Sequence, residues 1–371
     1  MRRLLFLVLV TYAVGVVGTA NAGEYTKITP KGKRGPRDML LVAGGDVSYP
    51  AGKYDRYLEK AGPALLKPIR SYLQRADLSF VNLEAPLTTQ EVVGEKTYQF
   101  TMPAHRLGWL IDQGVTLFSV ANNHIEDAGK EGLRDTLAVL RQAARRRGVH
   151  YAGASSGQES ATAPVYFDVP GKKLKIAFLA YTYRGSDRVA TPRKGRLLKA
   201  VRDARKKADI VLVSLHYGKE YIHVPRAGKR RLFRAVADAG ADVVLGHHPH
   251  VVQGVERRGD SLIIYSMGNL SFASKTTRHL KTGARMFGML PLIEFKDGKV
   301  RRLEIVPLYV DNLRPWSIGD ETLPRSRFRP EVVEGVFAEE VVQSIKQWSA
   351  EIEGNETKVH IRRGRAIVRF D

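Results

Sequence analysis

Five short apolar runs, at residues 39–43, 78–81, 115–121, 210–215 and 242–245, alternate with stretches of helical periodicity. Runs apolar on both faces and separated by helices predict a largely parallel sheet covered on both sides, because each strand must bury its two faces against other layers. Just past the carboxyl end of each run stands a polar side chain: Asp46, Glu84, Asn123 with His124, His216, and the group Gly246, His247, His248, Pro249 and His250. Ligand sites of open α/β sheets form along that edge. One such residue is ordinary loop chemistry. Five in a row, drawn only from Asp, Glu, Asn and His, predict one shared site.

The intervening helices are expected at residues 54–75 (broken near Pro63 and Pro68), 131–147, 197–208 and 226–239, with Gly148 and Gly240 placed for C-terminal caps. Hairpin-type strands are expected at 165–169 and 174–181 around a Pro-Gly-Lys-Lys turn, then near 251–256, 261–266, 286–295 and 300–310. Mixed βα units and hairpins predict two packed sheets flanked by helices. The domain reading is a leader at 1–22, a linker at 23–38, one compact domain at 39–312, and a C-terminal arm, helix and hairpin at 313–371, the helix spanning 331–352.

Residues 1–22 carry Arg2 and Arg3, an apolar stretch at 4–17 and the small-residue sequence Ala20-Asn21-Ala22, the pattern of a secretory signal. Export to the periplasm or cell envelope is the expectation, with an uncleaved N-terminal anchor as the alternative. The chain has no cysteine, so disulfides and thiolate metal ligands are excluded and any metal is held by oxygen and nitrogen. The formal charge of +22 is spread over scattered basic runs with few interleaved aromatics. That pattern argues against nucleic acid and fits attraction to an anionic envelope polymer.

The histidine group is the strongest single signal. Neutral imidazole is a common transition-metal ligand, and three adjacent histidines are expensive to bury unless their nitrogens find partners. Spacing alone does not decide between His247 and His248 as the ligand.

These residues fall in ordered motifs: Gly45-Asp46-Val47; Asn82-Leu83-Glu84-Ala85-Pro86-Leu87-Thr88; Ala121-Asn122-Asn123-His124 with Asp127; His216-Tyr217-Gly218-Lys219-Glu220-Tyr221; residues 246–251; and Tyr265-Ser266-Met267-Gly268-Asn269. The set resembles the CapA-type poly-gamma-glutamate capsule biosynthesis proteins of the calcineurin-like metallophosphoesterase superfamily. The resemblance implies a four-layer α/β/β/α sandwich with a two-metal site at the strand ends. It implies Asp46, Glu84, Asn123, His216, His248 and His250 as ligands, Glu84 in the bridging position, and His124 as proton donor or transition-state stabiliser. His247, Glu220 and Asn269 are expected behind the ligands or against the substrate.

Manganese, iron or zinc, as one ion or two, suits a mixed carboxylate, amide and imidazole shell. The implied activity is a metal-dependent hydrolase or transferase acting on a phosphoester or amide bond of an anionic envelope polymer such as poly-gamma-glutamate, alongside other capsule synthesis or export proteins. The alternative is a non-catalytic component that holds the anionic polymer. Phosphoesterases of this kind carry Asp-x-His in the first motif, whereas this chain has Asp46-Val47-Ser48, so one of the two metal positions is expected to be the weaker.

Overall fold

The computed structural model describes residues 33–155, 161–274, 287–310 and 314–370. The expected leader at residues 1–22 lies outside them, and among the described residues no helix is long and apolar enough to cross a membrane.

Two β-sheets pack face to face. In the first, β17 (His360–Arg362), β18 (Arg365–Arg369), β13 (Lys299–Tyr309), β12 (Phe287–Lys296), β1 (Met39–Ser48), β2 (Leu78–Leu83), β3 (Leu117–Ser119) and β4 (His150–Ala152) run side by side, with β11 (Asn269–Phe272) also on β1 and β16 (Glu331–Val332) on β13. The second sheet runs β5 (Val165–Asp168), β6 (Lys175–Thr182), β7 (Ile210–His216), β8 (Val243–His247), β10 (Ser261–Ile264), β9 (Val255–Arg258). The strand period of two sorts their side chains into layers. Met39, Leu41, Ala43, Leu78 and Phe80 meet Ile176, Phe178, Ile210, Leu212, Val243 and Leu245 between the sheets.

The alternate residues Leu40, Val42, Val81 and Leu83 pack outward under α1 (Asp55–Ala61), α2 (Arg70–Arg75), α3 (Arg106–Asp112) and α4 (Gly129–Arg147). Val211, Val213, Leu215 and Val244 pack outward under α5 (Lys194–Arg205) and α6 (Ala227–Asp238). The result is the four-layer α/β/β/α sandwich. In α4, Leu133, Leu137 and Leu140 form the buried stripe and Gly148 closes the helix in the left-handed conformation, as the periodicity predicts. The 54–75 segment splits at its prolines into α1, a 3-10 stretch at Gly62–Ile69, and α2.

Three local expectations are corrected. The arm after residue 314 contains a small hairpin, β14 (Trp316–Ile318) and β15 (Glu321–Leu323). The C-terminal helix α7 (Gly335–Ala350) starts later than residue 331, because Glu331 and Val332 pair with Tyr309 and Leu308 as β16. The strand expected near 251–256 begins only at Val255. Helix α7 itself buries Phe337, Val341, Val342, Ile345 and Trp348 in the layer between the sheets, continuing the narrower second sheet.

Candidate metal centre

Strand parity explains why these polar residues meet. On β2, Leu78 and Phe80 face the second sheet, so Asn82 and then Glu84 do too; on β7 and β8 the same count places His216 and His247 toward the first sheet. Asp46 needs a correction to the count. Ala43 pairs with Phe80 but Asp46 pairs with Asn82, so β1 spends three residues where β2 spends two. That bulge, at Gly44 and Gly45, turns Asp46 into the seam between the sheets instead of under the helices. Gly45 also lies so close to the crossing strand that an added Cβ would sit 1.9 Å from the Gly268 carbonyl oxygen.

The seam is buried and polar. Asp46, Glu84, His216 and His247 are fully buried, and His248 and His124 nearly so. Asn82, from β2, bridges the two carboxylates, its Nδ2 donating to Asp46 Oδ1 at 2.9 Å and to Glu84 Oε2 at 3.3 Å. The other carboxylate oxygen, Glu84 Oε1, has no hydrogen-bond partner among the described residues. Around it stand three imidazole nitrogens: His216 Nε2 at 3.7 Å, His250 Nε2 at 3.9 Å and His124 Nε2 at 4.0 Å.

Two groups of donors flank this oxygen. On one side His216 Nε2 lies 2.7 Å from Asn123 Oδ1 and 3.2 Å from His248 Nδ1, and the far nitrogen of His248 meets the Tyr183 hydroxyl at 3.3 Å. On the other, donor atoms of Asp46, Glu84 and His250 all fall within 4.8 Å of one another. His250 Nδ1 meets Asn269 Oδ1 at 3.0 Å, which places its proton there and leaves Nε2 with the lone pair. His247 Nδ1 approaches Asp46 Oδ1 at 3.0 Å rather than the open centre. Ser48 is buried and its Oγ has no partner among the described residues. The Asp46 side therefore gathers three donors and the Asn123 side four, with Glu84 shared.

His124 is held differently. Its Nδ1 sits 2.6 Å from Asp127 Oδ2, and Lys96 Nζ spans Asp127 Oδ1 at 2.7 Å and the Asn123 carbonyl at 2.6 Å. The His124 ring thus faces its Nε2 toward Glu84 and a cleft of about 990 Å³ whose walls include Lys96, Tyr98, Arg184 and Glu220. Sequence reasoning gave no role to Asn82, Asp127, Lys96 or Tyr183. Asn82 was within reach, since it stands two residues before Glu84 on a strand and so shares its face. Lys96 and Tyr183 arrive from loops with no pattern to mark them.

Electrostatics follow burial. Burial and the neighbouring Asp46 charge push the Glu84 carboxyl well above the usual range. Asp46 is also pushed up by burial, but the His247 hydrogen bond and the nearby imidazoles outweigh this and hold it below the carboxylate range. Burial depresses His216, and depresses His248 from 6.5 to about 3, so both stay neutral with lone pairs available.

A pH effect follows. A histidine with a lowered folded value binds fewer protons than the unfolded chain, so its contribution is intact above pH 6.5 and is lost as pH falls toward 3. In chelator, His248 should cost up to about 1.4 kcal/mol of stability per pH unit between pH 6.5 and 4, opposed over the same window by the raised Glu84 carboxyl. His248→Asn should remove that acid loss, so the two urea-unfolding curves diverge as pH falls; parallel curves for the two proteins would refute the assignment.

Comparison with known proteins finds relatives over most of the chain. The chain is 28% identical over 343 residues to the PGA biosynthesis protein CapA of Bacillus subtilis, covering 86% of this chain and 87% of that protein. It is 25% identical over 330 residues to the capsule biosynthesis protein CapA of Bacillus anthracis, covering 84% and 77%. A phosphatase of Mycoplasma pneumoniae superposes with a TM-score of 0.45 at 16% identity, over 73% of this chain and 93% of that one. The model of the bacterial capsule synthesis protein family PGA_cap matches residues 40–274, a span that contains every strand-end residue of the seam, and the chain belongs to that family.

Proposed function

We propose that this protein is an exported, metal-dependent hydrolase or transferase that acts on an anionic envelope polymer in capsule biosynthesis. The observation that carries the metal is Glu84 Oε1, a buried carboxylate oxygen without a hydrogen-bond partner among the described residues, ringed by three imidazole nitrogens at 3.7 to 4.0 Å. Stranding such an oxygen is costly unless a cation neutralises it. The donor set fits a divalent transition ion: carboxylate, amide and neutral imidazole, with Tyr183, Asn269 and His247 fixing the outer sides of His248, His250 and Asp46. Asn123, His216, His248 and Glu84 would hold one ion, and Asp46, Glu84 and His250 a second, weaker one. Bound there, the metal supplies Lewis acidity toward a phosphoryl or acyl oxygen.

The chain's own residues supply the rest. The Asp127 carboxylate accepts the Nδ1 proton of His124, so a second proton, carried on Nε2 of the charged ring, is the one that passes to the leaving group and leaves the neutral imidazole behind. Lys96 fixes Asp127 and the Asn123 backbone together. Arg184, exposed on the cleft wall, is placed to meet an anionic substrate. The polymer and the capsule role rest on what the Bacillus relatives are named for, and export rests on the N-terminal pattern.

Metal analysis of the purified protein, with hydrolysis assays on bis-p-nitrophenyl phosphate and on poly-gamma-glutamate, tests the reading. At least about one equivalent of manganese, iron or zinc is expected, with turnover abolished by chelator and by His216→Ala. A protein that binds the ion but turns over neither substrate would instead be a polymer-holding component. One that binds no ion would remove the metal centre altogether.

A further inference from the structure

The C-terminal helix lies outside the family-matched residues yet makes two contacts with segments that flank the site. The Trp348 indole, near the end of α7, lies flat on the His223 imidazole, centroids 3.9 Å apart and planes 9° from parallel. His223 Nδ1 is 2.8 Å from the Val252 carbonyl, which places its proton on that nitrogen. One residue on, Ser349 Oγ accepts the Val255 N–H at 2.9 Å, and a Cβ added to Gly254 would come within 2.7 Å of the Ser349 backbone. The helix is thereby latched to residues 252–255, directly after the His248-Pro249-His250 turn.

The loop at 217–226 is pinned to the same turn. Tyr221 N–H donates to the Pro249 carbonyl at 2.9 Å, Gln253 Nε2 donates to the Ile222 carbonyl at 2.8 Å, and the Tyr221 ring stacks over His250 at 6.1 Å. Tyr221, His248 and His250 have φ of 60°, 91° and 59°. Side-chain-bearing residues keep such left-handed backbone only where their surroundings enforce it. Residues 217–226 and 248–250 enforce it on each other, and α7 backs both.

We propose that α7 is a positioning element for the centre: Trp348, acting through His223, holds the 217–226 loop against the 248–250 turn and so fixes His250 and the cleft residue Glu220. The consequence for metal binding rests on the reading given above, whereas the mechanical claim does not.

The test is amide-exchange mass spectrometry on the full chain in chelator, comparing wild type with Trp348→Ala, Trp348→Phe and Phe337→Ala. The last removes another core aromatic from the same helix, one that packs on Trp316 instead of His223. Trp348→Ala should speed exchange at residues 219–224 by about tenfold or more, as expected when a local opening loses its restraint. Trp348→Phe should restore most of the protection, and Phe337→Ala should lower thermal stability without selective loosening of that loop. Unchanged loop exchange in Trp348→Ala, or equal loosening in Trp348→Ala and Phe337→Ala, overturns the proposal. In a second arm, Trp348→Ala should weaken Mn2+ binding by about tenfold, the size seen when a group behind a ligand is lost. A wild type that binds no Mn2+ sinks the metal centre, while the exchange result still decides the role of the helix.

Discussion

Glu84→Gln is expected to abolish metal binding while making the metal-free protein more stable. The two effects have one origin. Glu84 Oε1 is buried without a hydrogen-bond partner among the described residues, and burial with the Asp46 charge raises the carboxyl pKa well above the usual range. A carboxyl with a raised folded value contributes stability that is complete below its ordinary value of 4.5 and is lost as pH climbs through the folded value. Glutamine keeps the shape and cannot ionise, so at pH 7 to 8 the metal-free variant should gain about 1–3 kcal/mol. It brings no charge to neutralise the ions that the two donor groups would hold, so metal affinity and turnover should fall by more than about 100-fold, beyond what losing a group behind the ligands costs. Chemical denaturation in chelator and equilibrium dialysis with Mn2+ read the two halves separately. A variant that is both less stable and still metal-loaded would remove Glu84 from the shared position.

Gly45→Ala carries the largest expected loss of stability. Its Cβ would stand 1.9 Å from the Gly268 carbonyl oxygen, a backbone atom that also accepts the Asp46 N–H at 3.0 Å. No rotamer change relieves a clash with main chain, so β1 and β11 must separate. A cost of about 3 kcal/mol or more is expected, with the melting temperature lower by about 4 °C or more. Because Gly45 sits in the bulge that turns Asp46 into the seam, surviving protein should also bind metal poorly. The neighbouring Gly44→Ala is the comparator: its Cβ would meet only the Leu270 and Val81 side chains, which can move. Equal melting temperatures for the two variants would contradict the backbone argument.

Much of this was legible in the sequence because it depends on local patterns. Apolar runs gave the strands, and the side chains that follow them gave the shared edge, since strand direction fixes which ends converge. The ordered motifs supplied the four-layer arrangement. What stayed hidden depends on register or on distant partners. The bulge at Gly44 and Gly45 shows only when β1 is aligned with β2. Glu331 and Val332 continue a helical-looking sequence but are claimed as strand by Leu308 and Tyr309. The hairpin at 316–323 is too short to show a period. The face that α7 presents to His223 is spelled in Trp348, a residue that from sequence alone reads as ordinary core.

Asp46 and His247 meet at 3.0 Å across a gap of 201 residues, one from each sheet. Neither sheet owns the centre, so its dimensions are set by how the two slabs rest on each other. Phe80 touches both Phe178, at 5.8 Å across the seam, and the His247 ring, at 5.4 Å. A close-packed interior passes strain along instead of absorbing it. The greasy contact between the slabs is therefore the gauge block of the centre: changing the thickness of a side chain such as Phe80 resets the spacing of donors that it does not itself provide.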